Sequence, residues 1–157
     1  MAFLEQRPLP THGYWGDITS SLLWCEEKYR WTRYIAEPAN TISNLFFLAL
    51  ALYGARSCLA HDLPLRFLLV NLGIALIGIG SLLFHMTLKH EAQLLDELPM
   101  IYTSLLLTYA VCETTKRGQK KRFKVLLPAT LVLAGAGVTA GYVSGIYVRH
   151  GLRAWGE

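Results

Sequence analysis

Charge is what this sequence lacks over most of its length. Charged residues make up 17% of the 157 residues and hydrophobic residues 53%. Four stretches carry no charge at all, at residues 38–55, 67–84, 98–112 and 125–148. The alternative fold, a soluble all-α bundle, would show polar residues on one face of each helix, whereas the run VNLGIALIGIGSLLF has no charged face. The composition therefore indicates an all-α integral membrane protein.

The uncharged stretches predict where the chain crosses the membrane. About 20 helical residues span a hydrocarbon core of roughly 30 Å. We expect a transmembrane region at residues 38–148 that contains four helices, at about 38–58, 65–85, 94–113 and 125–148. Residues 1–37 form an extramembrane segment, and residues 149–157 form a short tail. The first segment has no apolar h-region, so we expect no cleavable signal peptide there.

The cysteines and the basic residues exclude two further classes of protein. The three cysteines are odd in number and show no CxxC spacing, which argues against a disulfide framework or a cysteine metal site. Six of the basic residues lie together at 116–124, and this loop fits the positive-inside rule better than a nucleic-acid surface. With that loop in the cytosol, the N-terminal segment and the 86–93 loop are predicted to lie at the opposite membrane surface.

Polar residues at the start of the first predicted helix share one face. Glu37, Asn40, Thr41 and Asn44 are spaced at i, i+3, i+4 and i+7, so they form an inward-facing stripe. The asparagines have a structural interpretation, because Asn side chains often hydrogen-bond between membrane helices. A carboxylate such as Glu37 needs a cation or a metal beside it.

A second polar group lies where the second predicted helix ends and the third begins. Ser81 and His85 share a helix face, and Asp96 and Glu97 follow across a short loop. An imidazole can bind zinc, zinc lowers the pKa of a bound water, a carboxylate can take its proton, and a hydroxyl can donate to an oxyanion. The residues suit a metal hydrolase, although a lone histidine at a helix end can also be a plain interfacial residue.

Four stretches resemble motifs of the alkaline ceramidase family, in the same order. They are GYWG at 13–16, WCEE at 24–27, YIAEPANTISN at 34–44 and GSLLFHMTLKHEAQLLDELPMIY at 80–102. The resemblance covers roughly residues 13–115 and implies a seven-helix membrane bundle of the endoplasmic reticulum or Golgi. It also implies that a membrane lipid, ceramide or phytoceramide, is cleaved at its amide bond to release a sphingoid base, such as sphingosine, and a fatty acid.

The same resemblance implies a zinc site at the second polar group. His85 matches a zinc ligand, Asp96 matches the carboxylate that handles the proton of the attacking water, and Ser81 matches the hydroxyl beside the metal. These implied roles agree with the chemistry expected of the residue types.

A calcium site is implied in the segment before the first helix. The backbone carbonyl of Trp24 and the carboxylates of Glu26 and Glu37 match three of its ligands. Leu23 and Lys28 stand where the family has an aspartate and an asparagine. Because calcium takes six to eight oxygen ligands, these two departures weaken the predicted site.

The length of the chain departs from the family as well. The family's HxxxH pair, which supplies two further zinc ligands, has no counterpart here, and the surroundings of His150 do not match it. We therefore expect the chain to correspond to an amino-terminal portion of a ceramidase. Two alternatives remain at this point, an inactive membrane fragment and a receptor-like member of the same superfamily. Nothing in the residues predicts a protein partner.

Overall fold

In the described part of the chain, four α-helices follow a short β-hairpin. The structure is a computed structural model that describes residues 12–113 and 125–154, with the side chains of the last helix described as far as Gly145. Strand β1 (His12–Gly13) pairs antiparallel with β2 (Gly16–Asp17). The helices are α1 (Pro38–Ala60), α2 (Leu65–Thr87), α3 (His90–Cys112) and α4 (Leu126–Ala154). The basic residues at 116–124 lie outside the described residues.

The described helices are long and apolar enough to cross a membrane. The first three have 23 residues each, which is roughly 34 Å of helix. The candidate span in α4 is Leu126–Gly145. The outer face of α1 is apolar, with Phe46 72% and Tyr53 74% exposed. A soluble bundle would bury such residues, so these faces confirm the prediction of an all-α integral membrane protein.

Helix α2 occupies the middle of the bundle, with α1 packed on one side of it and α3 on the other. Gly80 allows α3 to approach closely, because a β carbon at Gly80 would lie 2.2 Å from the Leu95 carbonyl oxygen. Helix α4 packs more lightly on α3, through Gly135 and a 3.0 Å hydrogen bond between the hydroxyls of Tyr102 and Thr139.

Glycines on α4 recur at positions 137, 141 and 145, a spacing that predicts close helix packing. A β carbon at any of the three would meet no atom within 4 Å in the part of the chain that is described. The close packing expected of these glycines therefore stays a prediction.

The helix bounds differ from the predicted ones at two places. Helix α3 begins at His90 rather than near residue 94, because the hydroxyl of Thr19 accepts a hydrogen bond from the His90 amide at 2.9 Å. This contact satisfies one of the amides that a helix start leaves unpaired. Helix α4 continues to Ala154, so residues 149–154 of the predicted tail are helical.

The N-terminal segment packs on the two-residue junction between α2 and α3. Leu88, in a left-handed conformation with φ of 51°, ends α2, and its carbonyl accepts from the amides of Thr19 and Ser20 at 3.2 and 3.1 Å. The Lys89 ammonium donates to the Asp17 carbonyl at 2.6 Å. These contacts confirm that the segment and the junction lie at the same end of the bundle.

Candidate functional site

The candidate site forms where the chain enters α1 beside the end of α2. The amides of Ala36 and Glu37 donate to the carbonyls of Met86 and His85 at 3.0 and 2.9 Å. The last carbonyls of a helix have no partner within the helix. Here the incoming segment supplies the amides that pair with them. Pro38 then begins α1, a position that suits proline because the first helical amide needs no partner. This backbone pairing brings the Glu37 side chain against α2.

The Glu37 carboxylate is fully buried and has three side-chain partners. One oxygen, Oε1, accepts from the Lys28 ammonium. The other, Oε2, is 2.5 Å from His85 Nδ1 and accepts from the Asn40 amide at 3.2 Å. Burial on its own would raise the pKa of Glu37, but the hydrogen bonds from His85 and Lys28 outweigh it and hold the pKa below its ordinary value.

His85 is buried, and its ring orientation is set by Glu37. Because Nδ1 faces the carboxylate, Nε2 is the nitrogen that could bind a metal. A carboxylate behind a metal-binding histidine is a common arrangement, since it fixes the tautomer and raises the basicity of the ligand. The rings of Trp24 and Phe84 lie beside the imidazole, with centroids at 6.1 and 5.0 Å. The sequence placed His85 among the candidates without identifying Glu37 as its partner.

Asp96 and Ser81 lie beside His85 because α2 and α3 pack closely here. A β carbon at Gly80 would be 2.9 Å from the Asp96 amide nitrogen. Asp96 is 9% exposed and lies within reach of the Ser81 hydroxyl and near His85. The structure therefore brings together the three residues predicted for the zinc site.

Glu97, the second carboxylate of the predicted group, has a different partner. It accepts a hydrogen bond from the Gln93 side chain at 2.9 Å. Gln93 is 1% exposed and also exchanges hydrogen bonds with Ser21, whose amide donates to it at 2.8 Å. Gln93 was not among the residues predicted from the sequence. Its position four residues before Glu97, on the same helix face, was the available signal.

The residues present supply only part of a catalytic zinc site. Three protein ligands and an open position are usual for such a site. The described residues contain no group of three or more histidine, cysteine, aspartate or glutamate side chains placed to share a metal. His85 offers one imidazole that is oriented suitably, and the side chain of His150 lies outside the described part. The geometry fits one ligand of a site that needs two more.

The predicted calcium ligands all have partners within the protein. The Trp24 carbonyl accepts from the Lys28 ammonium at 2.7 Å, and the same ammonium contacts Glu37. The Glu26 carboxylate accepts from the amides of Ala39 and Asn40 at 2.6 and 3.0 Å, so it caps the start of α1. These oxygens converge on an ammonium and on a helix end, and as they stand they do not fit a calcium ion. In the sequence, Lys28 was recognised only as a departure from the calcium ligands of the family. In the structure it is bonded to two of the predicted ligands.

The GYWG motif at 13–16 packs against the segment that precedes α1. Trp15 Nε1 donates to the Tyr34 carbonyl at 2.8 Å, and the Tyr14 amide donates to the Arg33 carbonyl at 2.9 Å. A β carbon at Gly13 would overlap the Tyr29 ring, so any other residue at this position would have to displace that ring. The β-hairpin therefore packs on the chain just before α1 and shapes the surroundings of Glu37.

Comparison with known proteins identifies the family. The family model described as Ceramidase matches residues 16–150, which is most of the chain. The chain belongs to the ceramidase family. The match includes the whole of the cluster formed by Lys28, Glu37, Ser81, His85 and Asp96.

Individual relatives support the same assignment. An alkaline ceramidase of Saccharomyces cerevisiae is 51% identical over 64% of the chain. Alkaline ceramidase 3 of Mus musculus is 42% identical over 83% of the chain, and an alkaline ceramidase of Arabidopsis thaliana is 34% identical over 88%. The matches cover 32%, 48% and 51% of the lengths of these relatives, in that order. The chain thus spans about half or less of the lengths of these relatives.

Proposed function

We propose that the protein is an alkaline ceramidase of the endoplasmic reticulum or Golgi, which hydrolyses the amide bond of ceramide or phytoceramide within the membrane. The observation that carries the proposal is the His85 imidazole, held by Glu37 beside Ser81 and Asp96. Family membership supports the reaction, because the relatives are named as alkaline ceramidases. The apolar outer faces of the helices support a lipid substrate that arrives from the bilayer.

His85, Asp96 and Ser81 each have a separate role in the hydrolysis of the amide. His85 would hold zinc through Nε2, and zinc bound there would supply an acidified water and polarise the amide carbonyl. Asp96 accepts a proton from the water as the oxygen of that water bonds to the carbonyl carbon. The Ser81 hydroxyl donates to the carbonyl oxygen as negative charge develops there. Asp96 then returns the proton to the nitrogen as the carbon–nitrogen bond breaks, which releases the fatty acid and the sphingoid base.

Sphingoid-base release from microsomes tests the proposal. The chain is expressed alone and also joined to the part of the Mus musculus relative that its match leaves uncovered. We expect release by the joined protein and its loss on treatment with a zinc chelator. Absence of release from the joined protein, when it is folded and in the membrane, would contradict the proposed activity.

The histidine assignment needs a matched pair of variants. His85→Ala should abolish release and reduce the zinc content of the purified protein, as measured by elemental analysis. His61→Ala, at an exposed histidine just after α1, is the control and should change neither. Zinc bound without turnover would favour the receptor-like alternative. Release that survives His85→Ala would rule out His85 as the ligand.

A further inference from the structure

The ammonium of Lys28 lies among the oxygens predicted to bind calcium. Its Nζ donates to the Trp24 carbonyl at 2.7 Å and to Glu37 Oε1. The side chains of Lys28 and Glu37 are 7% and 0% exposed, so this ion pair is shielded from water. Tyr29 follows with a left-handed φ of 55°, and its amide donates to the Ala36 carbonyl at 2.7 Å. This turn folds the chain back so that Lys28 can reach Glu37.

The charges around this ammonium are balanced without a metal. Of the two carboxylates, Glu26 faces the amides at the start of α1, where the helix dipole favours a negative charge. Glu37 is then the carboxylate that needs a cation, and Lys28 supplies one positive charge. Leu23 is 62% exposed and has no side-chain oxygen to offer. A calcium ion needs six to eight oxygens, and it would have to displace the ammonium from two of those present.

We propose that the Lys28 ammonium is a built-in cation that replaces calcium in this protein. It connects the N-terminal segment, through the Trp24 carbonyl, to the Glu37 carboxylate, which in turn holds His85. Lys28 is thus a positioning residue for His85, and the position of the imidazole does not depend on the calcium concentration. The inference goes beyond the proposed activity, since it requires only that the cluster folds as described.

Thermal stability with and without calcium tests this inference without measuring hydrolysis. The full chain is solubilised in mild detergent, heated, and followed by fluorescence-detected size-exclusion chromatography. We expect the same Tm in EGTA and in millimolar calcium chloride. A wild-type Tm that falls in EGTA and recovers with calcium would overturn the proposal, whatever the variants do.

Two variants probe the position of the cation directly. Lys28→Met keeps the aliphatic stem but removes the charge, and should lower the Tm by several degrees. Lys89→Met, at a lysine that donates to a single backbone carbonyl, is the matched control and should lower it less. An unchanged Tm for Lys28→Met would contradict the proposed role.

A double variant should restore metal binding. Leu23→Asp combined with Lys28→Asn adds oxygen ligands and removes the ammonium. We expect its Tm to be low in EGTA and to rise when calcium is added, with no rise when magnesium is added. A double variant that folds and ignores calcium would show that Lys28 does not occupy the position of a cation.

Discussion

Gly80 of α2 packs directly on the backbone of α3 at Asp96. A β carbon at Gly80 would lie 2.9 Å from the Asp96 amide nitrogen and still closer to the preceding carbonyl. Backbone atoms cannot move aside as a flexible side chain can. The closeness of the two helices, and hence the position of Asp96 beside Ser81 and His85, depends on the absence of a side chain at Gly80.

Gly80→Ala should therefore force α2 and α3 apart. Overpacking of this kind costs about 1–3 kcal/mol, and relaxation is limited here because backbone is on the other side. We expect a lower Tm and a loss of ceramide hydrolysis in the joined protein. Gly137→Ala is the matched control, since a β carbon there meets no atom of the described residues within 4 Å. Equal Tm values for the two variants would show that the helices do not pack through Gly80.

Glu37→Gln should destabilise the protein by removing the anion between two buried groups. Breaking a buried ion pair from one side costs roughly 3–5 kcal/mol, because the remaining charge is left without a partner. The Lys28 ammonium would be that charge. We expect a lower Tm and a lower zinc content, since His85 loses the group that orients it.

A double-mutant cycle separates the pair from its surroundings. Removing both charges, in Glu37→Gln with Lys28→Met, should be less damaging than the sum of the single changes by about 0.5–3 kcal/mol. The measurement is the Tm of all four proteins in the same detergent. Additive effects would mean that the two side chains do not interact.

Gln93→Leu should release the N-terminal segment from α3. The Gln93 side chain exchanges hydrogen bonds with Ser21 and donates to Glu97, and leucine leaves these half-buried groups without that partner, at a cost of about 1–3 kcal/mol. We expect faster hydrogen exchange at the Ser21 amide and faster proteolysis at Arg30 and Arg33. In the control, Ser104→Ala, an exposed hydroxyl bonded to its own helix is removed, and neither rate should change.

Asp96→Asn tests the proton transfer that belongs to the proposed function. An amide cannot accept the proton from water, so kcat should fall by about 10²–10⁴-fold while the Tm changes little. Glu97→Gln changes the neighbouring carboxylate, which bonds to Gln93, and should retain most of the activity. A larger loss in Glu97→Gln than in Asp96→Asn would reverse the assignment of the two carboxylates.

The membrane helices could be predicted from hydropathy alone because each is a long run with almost no charge. The start of α3 could not be predicted in this way. The residues HEAQ at 90–93 are mostly polar, and they are helical because the N-terminal segment supplies partners for them through Thr19 and Ser21. That segment is some 70 residues away in sequence, so no local pattern reveals the contact.

The candidate site was predictable within each helix and not between helices. The helical spacing of Glu37, Asn40, Thr41 and Asn44 predicts a shared inner face. Asn40 is half-buried and the other three are buried. The pairing of Glu37 with His85 depends on how α1 docks against α2, which helical periodicity does not specify. The role of Lys28 depends on the tight turn at Tyr29 in an irregular segment, so the sequence indicated only a missing calcium ligand.

The backbone bond between Glu37 and His85 has a consequence for how the protein is made. It joins positions 48 residues apart, and the bonds from Thr19 and Ser20 to Leu88 join positions still farther apart. The emerging N-terminal segment cannot complete these contacts until the ribosome has delivered α2 and Leu88, which follows it. Formation of these contacts is thereby coupled to insertion of the second span. In a nascent chain arrested before that stage, the Glu37 carboxylate would lack its His85 partner.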